Sequence, residues 1–501
     1  MIRCAVILCL CALVASTADA GDWGSQALSA PPDVDVIIMV DRAATLHAGA
    51  SGQTLSELVS AALPLTTTTG AWKTLADLLG MPQDRVFDAL LGRRAVYFGR
   101  WTDDGSFQWA IRSEVDPKTA FKLLNRLGAK PKEIKHGHPV ALIENGRFEI
   151  TSSVHKKSAT LLFGPRSSSD LLAGVLARFD AHKRASLRDN EDFSRAVQLA
   201  PDDGSVFVFL QSQTQPTSWF SATANLIGQT IDVQLAASIQ RTPLPKTTFS
   251  TAQWRHFSKG SLVAMVEPFA VDELPLGSLL DRLGAGDLRD APLPLDGRVA
   301  LNVSQQTPNE LSLTVGVETS NIDLLAGIGD IALASVASNL ASSSSKDQSQ
   351  DAPSLDTLSG AFPETVRSIA LTRSASQGAA PANPLGDGDL TLVWSYQTIQ
   401  GRSDRRGWGI VSNSVAAYRH AAASLTTPGS DAKDAVTPFS FYSAKPAKLI
   451  EAMEAAHLIS TTPTPLVQSL RLIDSIESAT TFQDGLLRGQ ATLILKKKPK
   501  E

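Results

Sequence analysis

Three histidines, His136, His138 and His155, are the residues whose types and spacing come nearest to a reactive set. Neutral imidazoles bind zinc, and three of them leave a fourth position for a water that the metal acidifies. Such a centre would make the chain a metal-dependent hydrolase. The histidines flank predicted strands at Pro131–Lys135, Val140–Ile143 and Phe148–Thr151, and an antiparallel meander reverses direction at each turn. The turn holding His136-Gly137-His138 and the turn holding His155 therefore fall at one end of the sheet, about 10 Å apart at normal strand spacing. Lys132, Lys135, Lys156 and Lys157 share that edge, and their charge repels a cation and favours an anion. Zinc, an anion contact and a plain solvated loop edge all stay open at this point.

A second cluster combines Arg402, Arg405, Arg406 and Trp408 in the stretch Gly401–Gly409. Guanidinium groups hold carboxylate or phosphate bidentately, and an indole face stacks on a sugar or another side chain. The same composition also describes an exposed hairpin turn. Other chemistry with a local signature is missing from the sequence: it has no phosphate loop, no HExxH helix, no GxSxG elbow and no EF-hand loop. Two SxxK stretches, at Ser153 and Ser343, lack the partner motifs of serine-lysine enzymes. The glycines of Gly327-Ile328-Gly329 fall after a helical pattern has begun at Ile322, which is the wrong place for a dinucleotide turn.

The elements that would carry these residues are short strands and amphipathic helices. Val34, Val36, Ile38 and Val40 alternate with Asp33, Asp35 and Asp41 in the period of a strand, and further strands are predicted at Ala95–Gly99 and Phe107–Arg112 around an Asp103-Asp104-Gly105 turn. Helical patterns cover Leu55–Leu63, Trp72–Leu79, Arg85–Leu91 and, as a long stripe, Trp219–Ile239. A motif of strand, capped turn and helix recurs at Ile111–Leu127, Leu311–Ile322 and Phe439–His457, with a looser version from Leu262 through Glu267-Pro268. Strands joined by short loops follow, at Val140–Ile143, Phe148–Thr151, Thr160–Phe163, Ala479–Phe482 and Ala491–Leu495. The expected class is α+β, with antiparallel meander sheets and packed helices, the recurring motif being either a repeated β-α-β-β module or a common turn met several times. The polar run from Ser338 to Gly360 marks a linker or long loop. The expected organisation is a leader at 1–20, an N-terminal α+β domain at 21–214, a middle domain at 215–345, a linker at 346–360 and a C-terminal domain at 361–501.

The leader is predicted from Arg3, the apolar run Cys4–Ser16 and Ala18-Asp19-Ala20, the layout of a secretory signal cut after Ala20. All three cysteines, Cys4, Cys9 and Cys11, lie inside it, so a processed chain would have no thiol, disulfide or thiolate metal site. A net charge of −4 on 501 residues supplies no field that would favour nucleic acid. The segments Pro32–Asp41 and Leu90–Gly99, with the order of strands and helices, resemble uncharacterised exported bacterial proteins of a domain-of-unknown-function family. That resemblance implies an envelope protein, periplasmic or secreted, and it carries no catalytic residues with it. The expectation is a soluble binding or scaffolding protein whose partner is an envelope protein or polysaccharide, with no transmembrane segment after processing. The alternative is a zinc hydrolase built on the three histidines.

Overall fold

The computed structural model describes residues 23–41, 76–77, 80–82, 89, 93–126, 133–135, 138–143, 147–155, 158–178, 185–201, 205–211, 219–227, 229–238, 249–268, 297–307, 310–327, 329–330, 355–358, 366–371, 390–399, 405–427, 438–456, 458–459, 465–483 and 485–496. In chain order its elements are α1 (Trp23–Gln26), β1 (Val36–Val40), β2 (Ala95–Trp101), β3 (Phe107–Val115), α2 (Pro117–Arg126), β4 (Glu133–Lys135), β5 (His138–Ile143), β6 (Phe148–His155), β7 (Ser158–Pro165), α3 (Ser169–Leu176), α4 (Glu191–Leu199), β8 (Val206–Gln211), β9 (Trp219–Ile227) and β10 (Thr230–Ser238). There follow α5 (Thr251–Phe257), β11 (Ser261–Pro268), β12 (Arg298–Thr307), β13 (Glu310–Thr319), β14 (Leu355–Leu358), β15 (Val366–Leu371), β16 (Leu390–Thr398), β17 (Gly407–Ser412), α6 (Val415–Thr426), β18 (Pro438–Ala444), α7 (Pro446–Ala455), α8 (Pro465–Leu470), β19 (Ile473–Gln483) and β20 (Leu486–Leu495). The class is α+β, with helices packed on antiparallel strands. Among the described residues no helix is long and apolar enough to cross a membrane.

The chain divides into two compact units, one of residues 1–240, 464–472 and 483–501, the other of residues 241–463 and 473–482. The expected boundaries at 214 and 345 are not the ones the contacts draw. Long-range pairing explains the difference: β10 pairs with β20 from Thr230↔Ile494 to Ser238↔Leu486, which returns the end of the chain to the first unit. The expected linker at 346–360 is also shortened, because Leu355–Leu358 forms β14 and pairs with β15, while 346–354 lie outside the described residues.

In the first unit the strands run β20-β10-β9-β8-β1-β2-β3-β7-β6-β5-β4, every neighbour antiparallel. One face carries Ile37, Met39, Val96, Phe98, Ala110, Leu162, Phe207 and Phe209, and α1, α3 and α4 cover it. Trp23 stacks on Phe207 with centroids 5.7 Å apart, and Phe193 meets Phe207 and Phe209 edge-on. The turn from β3 into α2 is capped as its sequence predicts: Asp116 Oδ2 accepts from Lys118 N at 2.9 Å and Thr119 N at 3.3 Å. The β2–β3 hairpin turns through Gly105 at φ 79°, a conformation glycine adopts without strain.

Residues Trp219–Ile239 are the clearest departure from expectation. The described ones among them, 219–227 and 229–238, form not a helix but the hairpin β9–β10. The stripe Phe220, Ala224, Ile227, Ile231, Leu235 satisfies a spacing of three and four, yet four of its five positions, all but Ile227, also fall on one face of two paired strands. In β10, Ile231 and Val233 are buried while Asp232 and Gln234 are exposed, the period of a strand. Strand β9 hides this period because Ser221, Ala222, Thr223 and Ala224 are all buried between neighbours. Pairing with β8 on one side and β10 on the other outweighs the local pattern.

In the second unit the order is β19-β18-β11-β12-β13-β17-β16-β15-β14, again antiparallel throughout. Subtracting ten from each number gives the order β9-β8-β1-β2-β3-β7-β6-β5-β4 of the first unit. Helix α6 lies on this sheet, and its Ala417, Ala421 and Ala422 allow a close approach. Gly316 of β13 is part of the same fit, since a Cβ there would stand 2.9 Å from Leu425 Cδ1. Trp408, Ile410, Tyr418, Leu425 and Phe441 fill the core, and Trp254 stacks on Phe441 at 5.0 Å. Helical residues 322–327 begin where expected, with Asn321 Oδ1 accepting from Leu324 N at 3.2 Å. Helix α7 starts on Pro446, as its sequence predicts. The predicted helices before residue 92 fall wholly or mainly outside the described residues, as does the leader.

Candidate functional site

The backbone places His138 at the start of β5 opposite Lys135, and His155 at the end of β6 opposite Ser158. Val140 pairs with Thr151, so the start of β5 and the end of β6 lie at the same end of the sheet. The meander thus has the strand order and direction that the sequence reading requires. Lys132, His136, Lys156 and Lys157 lie outside the described residues. Among the described residues no three His, Asp or Glu side chains gather in a way that could hold a metal.

The arginine stretch is built differently from the exposed loop expected of it. Trp408 is 2% exposed and sits in the core of the second unit, on β17 opposite Glu318 of β13. It has no face to offer a sugar. Arg406 is also buried, its Nη1 standing 4.0 Å from Glu318 Oε1. Arg405 is exposed and pairs with Asp323, and Arg402 lies outside the described residues. One short segment therefore contains a solvated ion pair, a buried ion pair and a core aromatic in succession. The strand of Gly407–Ser412 dictates this, because each residue entering a sheet buried on one face changes sides.

Sequence reasoning missed the buried charges around Glu318. Arg298, at the start of β12, is 2% exposed and lies over the Phe249 ring with its Cζ 5.9 Å from the centroid. Burial lowers the Arg298 pKa, and the Glu318 charge opposes the shift. Glu318 is packed tightly, since a Cβ on Gly297 would fall 2.6 Å from its own Cβ. The group is a structural charge centre under the sheet end. A charged residue in phase with Ser312 and Thr314 was the available signal, and it points to solvent unless those hydroxyls are known to be buried.

A second unforeseen cluster joins α5 to α6. Ser250 and Gln253 form a reciprocal cap that starts α5, and Ser414 caps α6. His256 and His420 then stack with centroids 5.1 Å apart, and His256 Nδ1 lies 2.5 Å from Ser424 Oγ. A serine beside an imidazole could suggest a nucleophile and its base. Here Ser424 Oγ donates to the His420 carbonyl at 2.7 Å and the residue is 2% exposed, so it is neither free to lose its proton nor open to substrate. The pair is a helix clasp. Burial lowers the pKa of His420, the charges of His256 and Lys259 lower it further, and the carbonyls of Phe257 and His256 work the other way. Because the folded pKa lies below the ordinary 6.5, the unfolded chain takes up the proton first. This contribution to stability is present above that value and is lost as pH falls through the folded pKa. Urea midpoints should therefore drop between about pH 7.5 and about pH 5, and drop less in His420→Gln. An identical pH response in the variant would remove His420 from the explanation.

The β2–β3 hairpin carries the most exposed aromatics of the described residues apart from Phe121. Trp101 is 57% and Phe107 38% exposed, their centroids are 4.7 Å apart, and the rings meet at 53°. Phe107 lies down on Gly99, where an added Cβ would stand 2.5 Å from its Cζ. The turn behind them is held by Thr102 N to Ser106 O, Gly105 N to Thr102 O, and Ser106 N to Asp104 Oδ1, at 2.9, 2.9 and 3.0 Å. Hydrogen bonds from the Thr102 hydroxyl and from Ser106 hold the Asp104 pKa down at about 2. Trp101 N donates to Asp35 Oδ2 at 2.7 Å, so the aromatic position is fixed at the backbone. Compared with protein-family models, curated proteins and solved structures, the chain matches none.

Proposed function

We propose that the chain is an exported binding or scaffolding protein whose body arose by duplication of one sheet-and-helix unit. The observation that carries the duplication is the shared strand order, supported by sequence and register together. Leu90, Gly92, Arg93 and Ala95 correspond to Leu295, Gly297, Arg298 and Ala300, and Met39-Val40 to Met265-Val266. The matched residues pair alike: Val40 faces Ala95 and Met39 faces Val96 in the first unit, while Val266 faces Ala300 and Met265 faces Leu301 in the second. A nine-strand order shared by the two units, with matched residues paired alike in its first strand pair, favours duplication over chance recurrence of a strand-to-helix turn.

The export half of the reading rests on Arg3, the apolar run and Ala18-Asp19-Ala20, and the resemblance to exported envelope proteins agrees with it. Ordered sheets with charged pairs turned inward and an aromatic hairpin turned outward suit recognition of a partner. Mass spectrometry of the natural product should find a chain beginning at Gly21. A product retaining Met1 would overturn export through a cleaved signal. The zinc hydrolase on His136, His138 and His155 is the second reading, favoured by the shared sheet end of His138 and His155. Stoichiometric zinc in the purified protein, lost in His136→Ala, would establish it over the binding role.

A further inference from the structure

We propose that the tip of the β2–β3 hairpin is a docking site for a cationic side chain, arginine or lysine, presented by a partner protein. The inference deepens the binding role proposed above and rests on it. An electron-rich indole face attracts a cation within about 6 Å of its centroid, and an adjacent carboxylate adds charge attraction. Trp101, Phe107, Asp103 and Asp104 place both features within seven residues, all of them exposed. Asp104 is ionised at any physiological pH, and the knitted turn holds it in one place. A guest there meets preorganised groups and causes little loss of side-chain freedom.

The second unit provides an internal comparison. Its corresponding hairpin, β12–β13, ends in Gln305, Gln306, Thr307 and Glu310, all exposed, with Thr307 facing Glu310 around the sequence Pro308-Asn309. Thr307 there pairs with Glu310 where Trp101 pairs with Phe107. The same strands can therefore turn without aromatics. A hairpin at this place in the strand order does not need aromatics to turn, and exposing Trp101 and Phe107 in water is unfavourable unless something covers them. Charge complementarity selects the partner: the two exposed carboxylates disfavour an anionic membrane or phosphate and favour a cation.

The test uses the full chain and a fluorescein-labelled tetra-arginine peptide, followed by anisotropy at physiological salt, with a neutral hexasaccharide as the competing probe. The peptide should bind, and Trp101→Ala should weaken it about tenfold. Trp101→Leu, which keeps apolar bulk without the ring, should weaken it similarly. Asp103→Asn with Asp104→Asn should both weaken binding and flatten its salt dependence. Unfolding midpoints of the variants, expected to match the parent, show that the fold is intact; for any variant that fails this, Phe107→Leu replaces it. Equal peptide binding by Trp101→Ala, binding retained in Trp101→Leu, or Trp101-dependent binding of the hexasaccharide in place of the peptide would each overturn the assignment. None of these results touches the processing site after Ala20, so failure here is distinct from failure of export.

Discussion

Replacing Trp408 by alanine should destabilise the second unit by about 3–5 kcal/mol, the range for deleting a buried large aromatic side chain. Trp408 is 2% exposed among Ala300, Ile410, Tyr418 and Leu425, and its ring lies 3.2 Å from where a Cβ on Gly316 would stand. The cavity left behind cannot collapse easily, because α6 is already seated close on Gly316 and a shift inward would break its fit to the neighbouring strands. In a unit of this size the loss corresponds to a fall in melting temperature of about 6–20 °C. Arg405→Ala, three residues earlier, should change stability by about 0.5 kcal/mol or less, since its pair with Asp323 is open to solvent. Urea unfolding of both variants checks the contrast. A mild effect for Trp408→Ala would place the indole outside the core and return it to the surface role its sequence neighbourhood suggests.

The same segment shows what sequence reading reaches and what it misses. Strands with alternating residues and hairpin turns were legible: β1, β2, β3, β5, β6, β7, β18, β19 and β20 all lie where their patterns predict, and Asp116, Asn321 and Pro446 begin helices in the expected way. These signals are local, so the sequence carries them directly. The hairpin β9–β10 was missed because β9, buried on both faces, loses its alternation, leaving across the two strands an apolar spacing that a helix also satisfies. The division into two units differs from the boundaries that composition suggests, because β20 joins β10 across roughly half the chain and no composition shift records a pairing of that range.

Side-chain environment was the least legible level. In β13 the apolar residue Leu313 is 41% exposed while Ser312 and Thr314 are each 1% exposed. Alternation alone would seat them the other way round. The inversion is stable because the hydroxyls are bonded across strands, Ser312 to Ser304 at 2.7 Å and Thr314 to Ser412 at 2.8 Å, and because Gly316 on that face admits α6. Arg406 and Trp408 follow the same face, which is why an arginine-rich stretch that looks like a solvated turn supplies core residues. The histidine meander was legible as strand order and common end, while three of its four lysines and one of its histidines lie outside the described residues.

Glu318 gives the second large expected effect, and its sign follows from what would remain after the carboxylate is gone. Glu318 is 2% exposed, Arg406 is buried 4.0 Å from it, and the pKa of buried Arg298 is kept from falling further by the Glu318 charge. Glu318→Ala leaves two guanidinium groups in a low-dielectric region with the nearby negative charge removed, a change that costs about 3–5 kcal/mol in buried pairs. Arg406→Ala removes the other partner of the pair and should cost a similar amount. The double variant should be less unstable than the sum of the two, because the second substitution removes a charge that the first left stranded. Urea unfolding of the four proteins closes the cycle. Strict additivity would mean that the two groups do not sense each other, and that the 4.0 Å approach is packing without electrostatic consequence.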